Sequence, residues 1–336
     1  MSKELIECVH VGYGYWGANI VKNIMQSNIL DLSGVCDKRE SQLAKAQGIY
    51  GDRVRYEKSY KQFLDSPDVD AFVLSVQTEP SFEIAQEILN AGKHLFIEKP
   101  IATNAERAKV LTRIAAKNNL VLHCDHIMIY HPIIQYIKEI MGSGELGEIT
   151  SIEVSRANLG PVRRDVTAMM DLAVHDIAVV DYLTDGKEPL TVHAEGETLY
   201  GQQEALTFLT MKYDGFIVHI KSSWVSPVKE RKTTICGTKK MVIFDDLRSM
   251  DKLSIFDRGL VRMDKEDAYG LYEYKVRTGD ITVPFIPQED ALFNSIEHFA
   301  NCIMTGTQSL SGGEQSVRVM KVLDKAHNCM RSNPYS

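Results

Sequence analysis

The chain has 336 residues, 44% apolar and 25% charged, which suits about two domains with ordinary globular cores. Thirty-eight basic against 45 acidic side chains leave a net charge of −7, which argues against nucleic-acid or anionic-membrane partners; no window approaches ~18 uninterrupted apolar residues, and the N-terminus lacks a signal-peptide h-region. The six cysteines (Cys8, Cys36, Cys124, Cys236, Cys302, Cys329) form no C-x-x-C pair and read as reduced core thiols of a cytoplasmic protein, with no metal site.

Residues 5–12, LIECVHVG, predict a strand ending in glycine. Residues 16–26 place apolar side chains at 16, 20, 21, 24 and 25, a helical period. A strand is expected at 30–37, a helix at 38–48, a strand at 69–76, a helix at 81–93, a strand at 94–100, a helix at 104–119 and a strand at 120–125. Strands alternating with helices imply a doubly wound parallel sheet with right-handed crossovers. Apolar runs without polar alternation suit strands covered on both faces.

The segment GYGYWG sets Gly12, Gly14 and Gly17 in G-x-G-x-x-G between the first strand and first helix, the context a dinucleotide-binding turn requires. Gly12 permits the turn, Gly14 admits a pyrophosphate to the backbone, and Gly17 lets the helix close on the strand. Tyr15 and Trp16 share this turn and count with it as cofactor contacts. Asp37 ends the second strand, where a carboxylate accepts from both ribose hydroxyls and so favours NAD. Lys38 and Arg39 follow it, and a cation there suits the phosphate of NADP. The alternative is a structural glycine turn with Asp37 as a helix cap. Lys99 stands at the carboxyl end of a strand, where ligands of such sheets bind, between Glu98 and Pro100. A desolvated amine there can donate or accept a proton.

At these residues the chain resembles the glucose–fructose oxidoreductase/inositol dehydrogenase (Gfo/Idh/MocA) family. The carriers are GYGYWGANIVKN (12–23), AGKHLFIEKPIATN (91–104), HIMIYHP (126–132), SGELGEI (143–149) and MDLAVHDIAVVDYL (170–183). The resemblance covers nearly the whole chain. It implies a Rossmann domain, 1–125, followed by a substrate-binding and oligomerisation domain, 126–336, with a large, mostly antiparallel open sheet. It also implies Lys99, Asp171 and His175 as the catalytic constellation. Ser81 stands where the family commonly has a histidine, so nicotinamide-ribose contacts are expected from Ser75, Gln77 or Thr78, together with Glu98 and Lys99.

Past residue 125 the pattern changes. A helix is expected at 131–144, an alternating strand at 148–158, an antiparallel meander over 190–257 and helices near 289–305 and 313–331. Asp171 and His175 are four apart, so a regular helix would set them on one face, the carboxylate orienting the imidazole. A surface ion pair is the bland alternative. The loop before them brings Arg156, Asn158, Arg163 and Arg164; the guanidinium groups of its arginines suit diphosphate oxygens, and a solvated loop is the alternative. Tyr130 and His131 precede Pro132 where the family contacts substrate or nicotinamide; a packed strand-end role is the other possibility.

The reading is an NAD-dependent oxidoreductase, with NADP possible, acting on a secondary alcohol of a sugar. The stretch NLGPVRRDVTAMMDLAVHD resembles the branch acting on nucleotide-linked sugars of cell-surface glycan pathways, which implies a UDP-N-acetylhexosamine oxidised at C3. The alternatives are a ketoreductase on a nucleotide-linked keto-sugar and an inactive cofactor-sensing regulator. A homodimer or homotetramer is expected through the second-domain sheet, where Phe216, Val218 and Ile220 alternate; packing against their own helices is the other possibility.

Overall fold

Strand β1 (Ile6–Val11) runs into α1 (Tyr15–Ile24), and the alternation continues as predicted: β2 (Leu30–Cys36), α2 (Glu40–Tyr50), β3 (Arg55–Glu57), α3 (Lys61–Leu64), β4 (Ala71–Leu74), α4 (Thr78–Asn90), β5 (His94–Ile97), α5 (Ala105–Lys117) and β6 (Leu122–Cys124). In this computed structural model, which describes residues 5–164, 166–201, 203–263 and 273–331, the six strands form one parallel sheet in the order β3-β2-β1-β4-β5-β6. That order reverses beside β1, the switch point where open α/β sheets take their ligands. Every residue of β4 is buried, as a central strand covered on both faces requires. The sequence did not reveal β3: Arg-Tyr-Glu is an edge strand without apolar periodicity.

The chain divides into two units, Met1–His131 with Glu289–Lys321, and Pro132–Gln288 with Val322–Ser336. The expected boundary at 125/126 therefore leaves a segment on the wrong side. Helix α8 of that segment (Ala291–Thr305) sends Leu292, Ile296, Phe299 and Ala300 into the core formed by β1, β2 and α1. Sequence order assigns this helix to the second domain, but its apolar stripe belongs to the first.

The second unit begins with α6 (Pro132–Gly142) and β7 (Ile149–Leu159). A π-helical turn, Met169–Ala173, leads into α7 (Val174–Leu183). Then come β8 (Thr191–Glu197), β9 (Leu206–Lys212), β10 (Ile217–Ser223), β11 (Val225–Gly237), β12 (Met241–Asp245), β13 (Leu253–Phe256), β14 (Gly259–Arg262), β15 (Tyr274–Arg277) and β16 (Ile281–Thr282). Eight strands form a sheet in the order β16-β13-β12-β11-β7-β10-β9-β8, antiparallel except for β7 beside β10. The expected meander is thus interrupted, because β7 inserts between β10 and β11. Helix α9 (Gly313–Arg331) closes the described chain.

The alternation in β10 points inward. Phe216, Val218 and Ile220 are buried within this chain, so they do not present a face to a second subunit. Their period-2 partners on the outer face are Ile217 and His219, both exposed.

Candidate active site

The glycine turn is held from beneath. Gly12 has φ +100°, a conformation that favours glycine. Its carbonyl accepts from Ser75 Oγ at 2.8 Å and faces His10 Nε2 at 3.1 Å. His10 is fully buried; desolvation lowers its pKa to about 4 against the opposing Gly12 carbonyl, so the ring is neutral. Periodicity alone marks His10 only as a core residue, and its bracing role was not legible. A Cβ on Gly17 would stand 2.1 Å from the Gly12 carbonyl, so the helix can close on the strand only with glycine there. A Cβ on Gly14 would meet nothing nearer than Arg39 Nη2 at 3.9 Å. The space above Gly14 is therefore free for a ligand, beside the unbonded first-turn amides of α1.

A cleft of about 540 Å³ opens at this point, lined by Gly12, Gly14, Asp37, Lys38, Arg39, Lys58, Ser75 and Gln77 among others. An orphaned helix N-terminus, a glycine surface without Cβ and a carboxylate at the end of β2 fit the pyrophosphate and adenosine ribose of a dinucleotide. Tyr15 is 90% exposed and Trp16 lies beside Glu98. The hydroxyl of Ser75 donates to the Gly12 carbonyl and so helps to hold the loop.

Asp37 is already engaged. Arg39 grips it through its amide (2.8 Å), Nε (3.1 Å) and Nη2 (3.1 Å). Burial pushes the Asp37 pKa up, but the Arg39 guanidinium and amide outweigh it, and the net shift is downward. Lys38 and Lys58 complete a cationic rim.

At the tip of β5, Lys99 precedes a cis peptide to Pro100. Its amide donates to Glu98 Oε2 at 3.2 Å. Glu98 is hydrogen-bonded to Asp125, the residue that follows β6. Burial raises both carboxyls, and Asp125 lies well above the usual range because Glu98 adds to the effect of burial. His126 is buried with neither ring nitrogen hydrogen-bonded, and desolvation, then Lys99, lowers its pKa to about 3.

Tyr130 is an interior residue. Its hydroxyl bonds Ser311 Oγ at 2.9 Å and its ring is 5% exposed, so it is packed instead of presented to substrate. His131 is half-buried, with its amide donating to Met128 O.

In the second unit the expected helix over 170–183 is divided. Its first turn is π-helical, and regular α-helix resumes at Val174. The i, i+4 alignment of Asp171 and His175 was expected from 3.6 residues per turn, and the segment that holds Asp171 is a wider π turn. Asp171 receives Arg163 Nη1 at 3.1 Å. His175 is half-buried, with Nδ1 shielded from solvent. Arg156 was expected to reach a diphosphate. It is nearly buried and clamps Asp176 at 2.6–3.0 Å, so its charge is spent internally. Arg163 and Arg164 stay exposed on the preceding loop. Asn158 accepts from Arg231 Nη2 at 3.1 Å. Arg231 sits directly opposite Arg156 in the β11–β7 ladder; no local motif points to it, and only strand register could have.

Residues 6–126 match the family described as "Oxidoreductase family, NAD-binding Rossmann fold", and residues 134–243 match "GFO/IDH/MocA C-terminal domain". A UDP-N-acetylglucosamine 3-dehydrogenase of Acidithiobacillus ferrooxidans is 28% identical over 256 residues, 75% of this chain and 76% of that protein. A solved structure of that organism's UDP-N-acetylglucosamine 3-dehydrogenase GnnA superposes with a TM-score of 0.81 at 25% identity, covering 97% of this chain and 98% of its own. GenD2 from gentamicin A biosynthesis, solved in complex with NAD, shares the fold with a TM-score of 0.81 at 18% identity, covering 99% of this chain and 96% of its own.

Proposed function

The chain belongs to the Gfo/Idh/MocA oxidoreductase family, whose members act on CH–OH groups with a nicotinamide cofactor, and we propose that its substrate is a UDP-N-acetylhexosamine oxidised at C3. The single observation that carries the substrate class is the likeness to the UDP-N-acetylglucosamine 3-dehydrogenase, which spans both units. Exposed Arg163 and Arg164, on the loop before the π-helical turn, supply guanidinium groups of the kind that pair bidentately with diphosphate oxygens.

NAD, when bound, accepts the hydride. Gly12, Gly14 and the α1 amides hold its pyrophosphate, and Asp37 its ribose hydroxyls. His175 takes the hydroxyl proton, with Asp171 stabilising the charged imidazole while it anchors Arg163. Lys99 supplies a donor that offsets negative charge developing on a substrate oxygen. Ketone reduction follows the same path backwards.

The test follows NADH absorbance with a panel of UDP- and dTDP-linked sugars and identifies the product by NMR. UDP-N-acetylglucosamine is expected to give a 3-keto product. Lys99→Met is expected to cut turnover ~10²–10⁴-fold, the range of a lost acid–base group, with little change in NAD affinity. Unaltered turnover in Lys99→Met would overturn the assignment of that residue. A second reading, NADP as cofactor, is favoured by one feature: Lys38, Arg39 and Lys58 surround the Asp37 rim.

A further inference from the structure

One residue, Trp224, separates β10 from β11 in sequence, yet β7 lies between those two strands in the sheet. The chain therefore crosses the end of β7 at that residue. Hydrogen bonds fix the crossing. Gly160, just past β7, donates its amide to Trp224 O at 3.0 Å, and the Trp224 amide donates to Ala205 O at 2.9 Å. The strands before and after Trp224 are both paired with β7. A backbone pinned in this way gives its side chain a fixed base.

The Trp224 side chain is 3% exposed. With Ala168 and Ala205 it forms a small buried cluster, of which it is the one large member. Val162, Val166 and Leu172 pack against this cluster from partly buried positions. The two valines bracket the exposed Arg163 and Arg164. Leu172 belongs to the π-helical turn and adjoins Asp171. The arginine-bearing stretch is also tied at both ends, by Gly160 to Trp224 and by the Ala168 amide, which donates to Glu204 O at 2.8 Å. The Arg163–Asp171 pair joins the same two segments, but the Arg163 side chain is 45% exposed, and an exposed pair contributes little by itself. An aromatic side chain buries roughly 150–250 Å² on a flat, rigid surface. The indole, and not the ion pair, is therefore the group large enough to define where both segments lie.

We propose that Trp224 is a positioning residue of the reaction. Its indole is the common floor that keeps Arg163 and Arg164 in register with Asp171, so that the grip on a substrate diphosphate and the orientation of the carboxylate that serves His175 are set together. The proposal rests on the nucleotide-sugar reading for what the arginines hold. Trp224 touches neither substrate nor cofactor in it and acts through the loop and the turn. Small shifts suffice, because misplacing a reacting group by about 1 Å can cost ~10²-fold in rate.

The first measurement needs no substrate. Trypsin cuts after arginine, and Arg163 and Arg164 are exposed. Protein saturated with NADH is digested briefly under native conditions, and the cuts are located by mass spectrometry. Trp224→Ala is expected to be cut after Arg163 and Arg164 about tenfold faster than wild type, with cutting elsewhere unchanged. Trp224→Phe, which keeps a ring on the floor, should stay within about threefold of wild type. Equal rates at these sites in wild type and Trp224→Ala overturn the proposal, and so does a rise spread over the whole chain, which would make the residue ordinary core. If Trp224→Ala does not fold, Trp224→Leu takes its place, with a smaller rise expected at the same two sites and the same overturning results. UDP binding, read by isothermal titration calorimetry, is expected to weaken about tenfold in Trp224→Ala at unchanged NADH affinity. With UDP-N-acetylglucosamine and NAD, the same variant should raise the sugar KM and lower kcat by about tenfold each, and Trp224→Phe should restore both. A change in KM alone would overturn the link to Asp171. Absence of UDP binding and of sugar turnover in wild type overturns the substrate reading alone, because the trypsin comparison stands without it.

Discussion

Beneath the tip of β5 the fold buries two acids near each other; on the approach to His175 it matches acids with arginine. Burial raises both Glu98 and Asp125, while Asp176 lies in the grip of Arg156 and Asp171 faces Arg163. A carboxyl raised by burial favours its protonated form, so the first arrangement suits proton handling. An arginine never gives up its proton, so the second suits fixed shape and anion attraction.

The sharpest way to break this comparison is to remove one partner on each side. Arg156→Ala leaves Asp176 buried and unmatched, and a loss of about 3–5 kcal/mol is expected in urea unfolding followed by circular dichroism. Burial raises Asp125 towards its protonated form, so Asp125→Asn, which keeps the shape and a donor, is expected to cost less than about 1 kcal/mol in the same measurement. Similar losses in both variants would show that Asp125 is ionised.

Within the first unit, Gly17 and Gly14 separate packing from ligand binding. Gly17→Ala drives a methyl into the Gly12 carbonyl, and a loss of about 1–3 kcal/mol is expected together with lost NADH binding. Gly14→Ala finds open space in the protein, so the melting temperature should hold while NADH affinity, read by fluorescence titration, falls by at least tenfold. Unchanged affinity in Gly14→Ala would remove the pyrophosphate from that surface.

The buried histidines give the comparison a pH axis. His10 and His126 are neutral in the fold, held by burial to about 4 and about 3, and His123 lies well below its ordinary value. The unfolded chain binds protons at these sites near pH 6.5. Stability is therefore expected to fall as pH drops from about 6.5 towards 4, by up to ~1.4 kcal/mol per pH unit for each histidine. Glu98 and Asp125, with raised values, act oppositely: their contribution is present at low pH and is lost as pH rises past about 4. Thermal melts across pH 5–7 check the slope, which His10→Gln should reduce. Hydrogen exchange should place the loss in β1 and β6, with the large antiparallel sheet less affected.

Much of the first unit was legible because its signals are local. The glycine turn, Asp37 and the Glu98-Lys99-Pro100 tip each follow a run of buried strand residues, and strand alternates with helix along the chain up to β6. What was hidden depends on contacts across the chain. Ser295 reaches Asp125 from 170 positions away, and α8 joins a core whose other members precede residue 122. Arg231 meets Arg156 only through strand register, and the π turn before α7 leaves no mark in the spacing of apolar residues. Tyr130 stayed open between two roles and Arg156 was expected at a diphosphate for one reason: a polar residue near a binding loop looks the same in sequence whether its partner is a ligand or the interior.

The smallest effect tests the cofactor rim. Arg39 binds Asp37 with three donors, yet its own side chain is 59% exposed, so it can swing away at little cost. With Arg39 turned outward, Asp37 faces the ribose hydroxyls of NAD. With Arg39 over the rim beside Lys38 and Lys58, a ribose phosphate meets three cations. Arg39→Ala removes the second state and frees Asp37, so the ratio of kcat/KM for NAD to that for NADP should rise about tenfold. A fall in that ratio would mean that Arg39 serves NAD itself, holding the Asp37 carboxylate in place for the ribose.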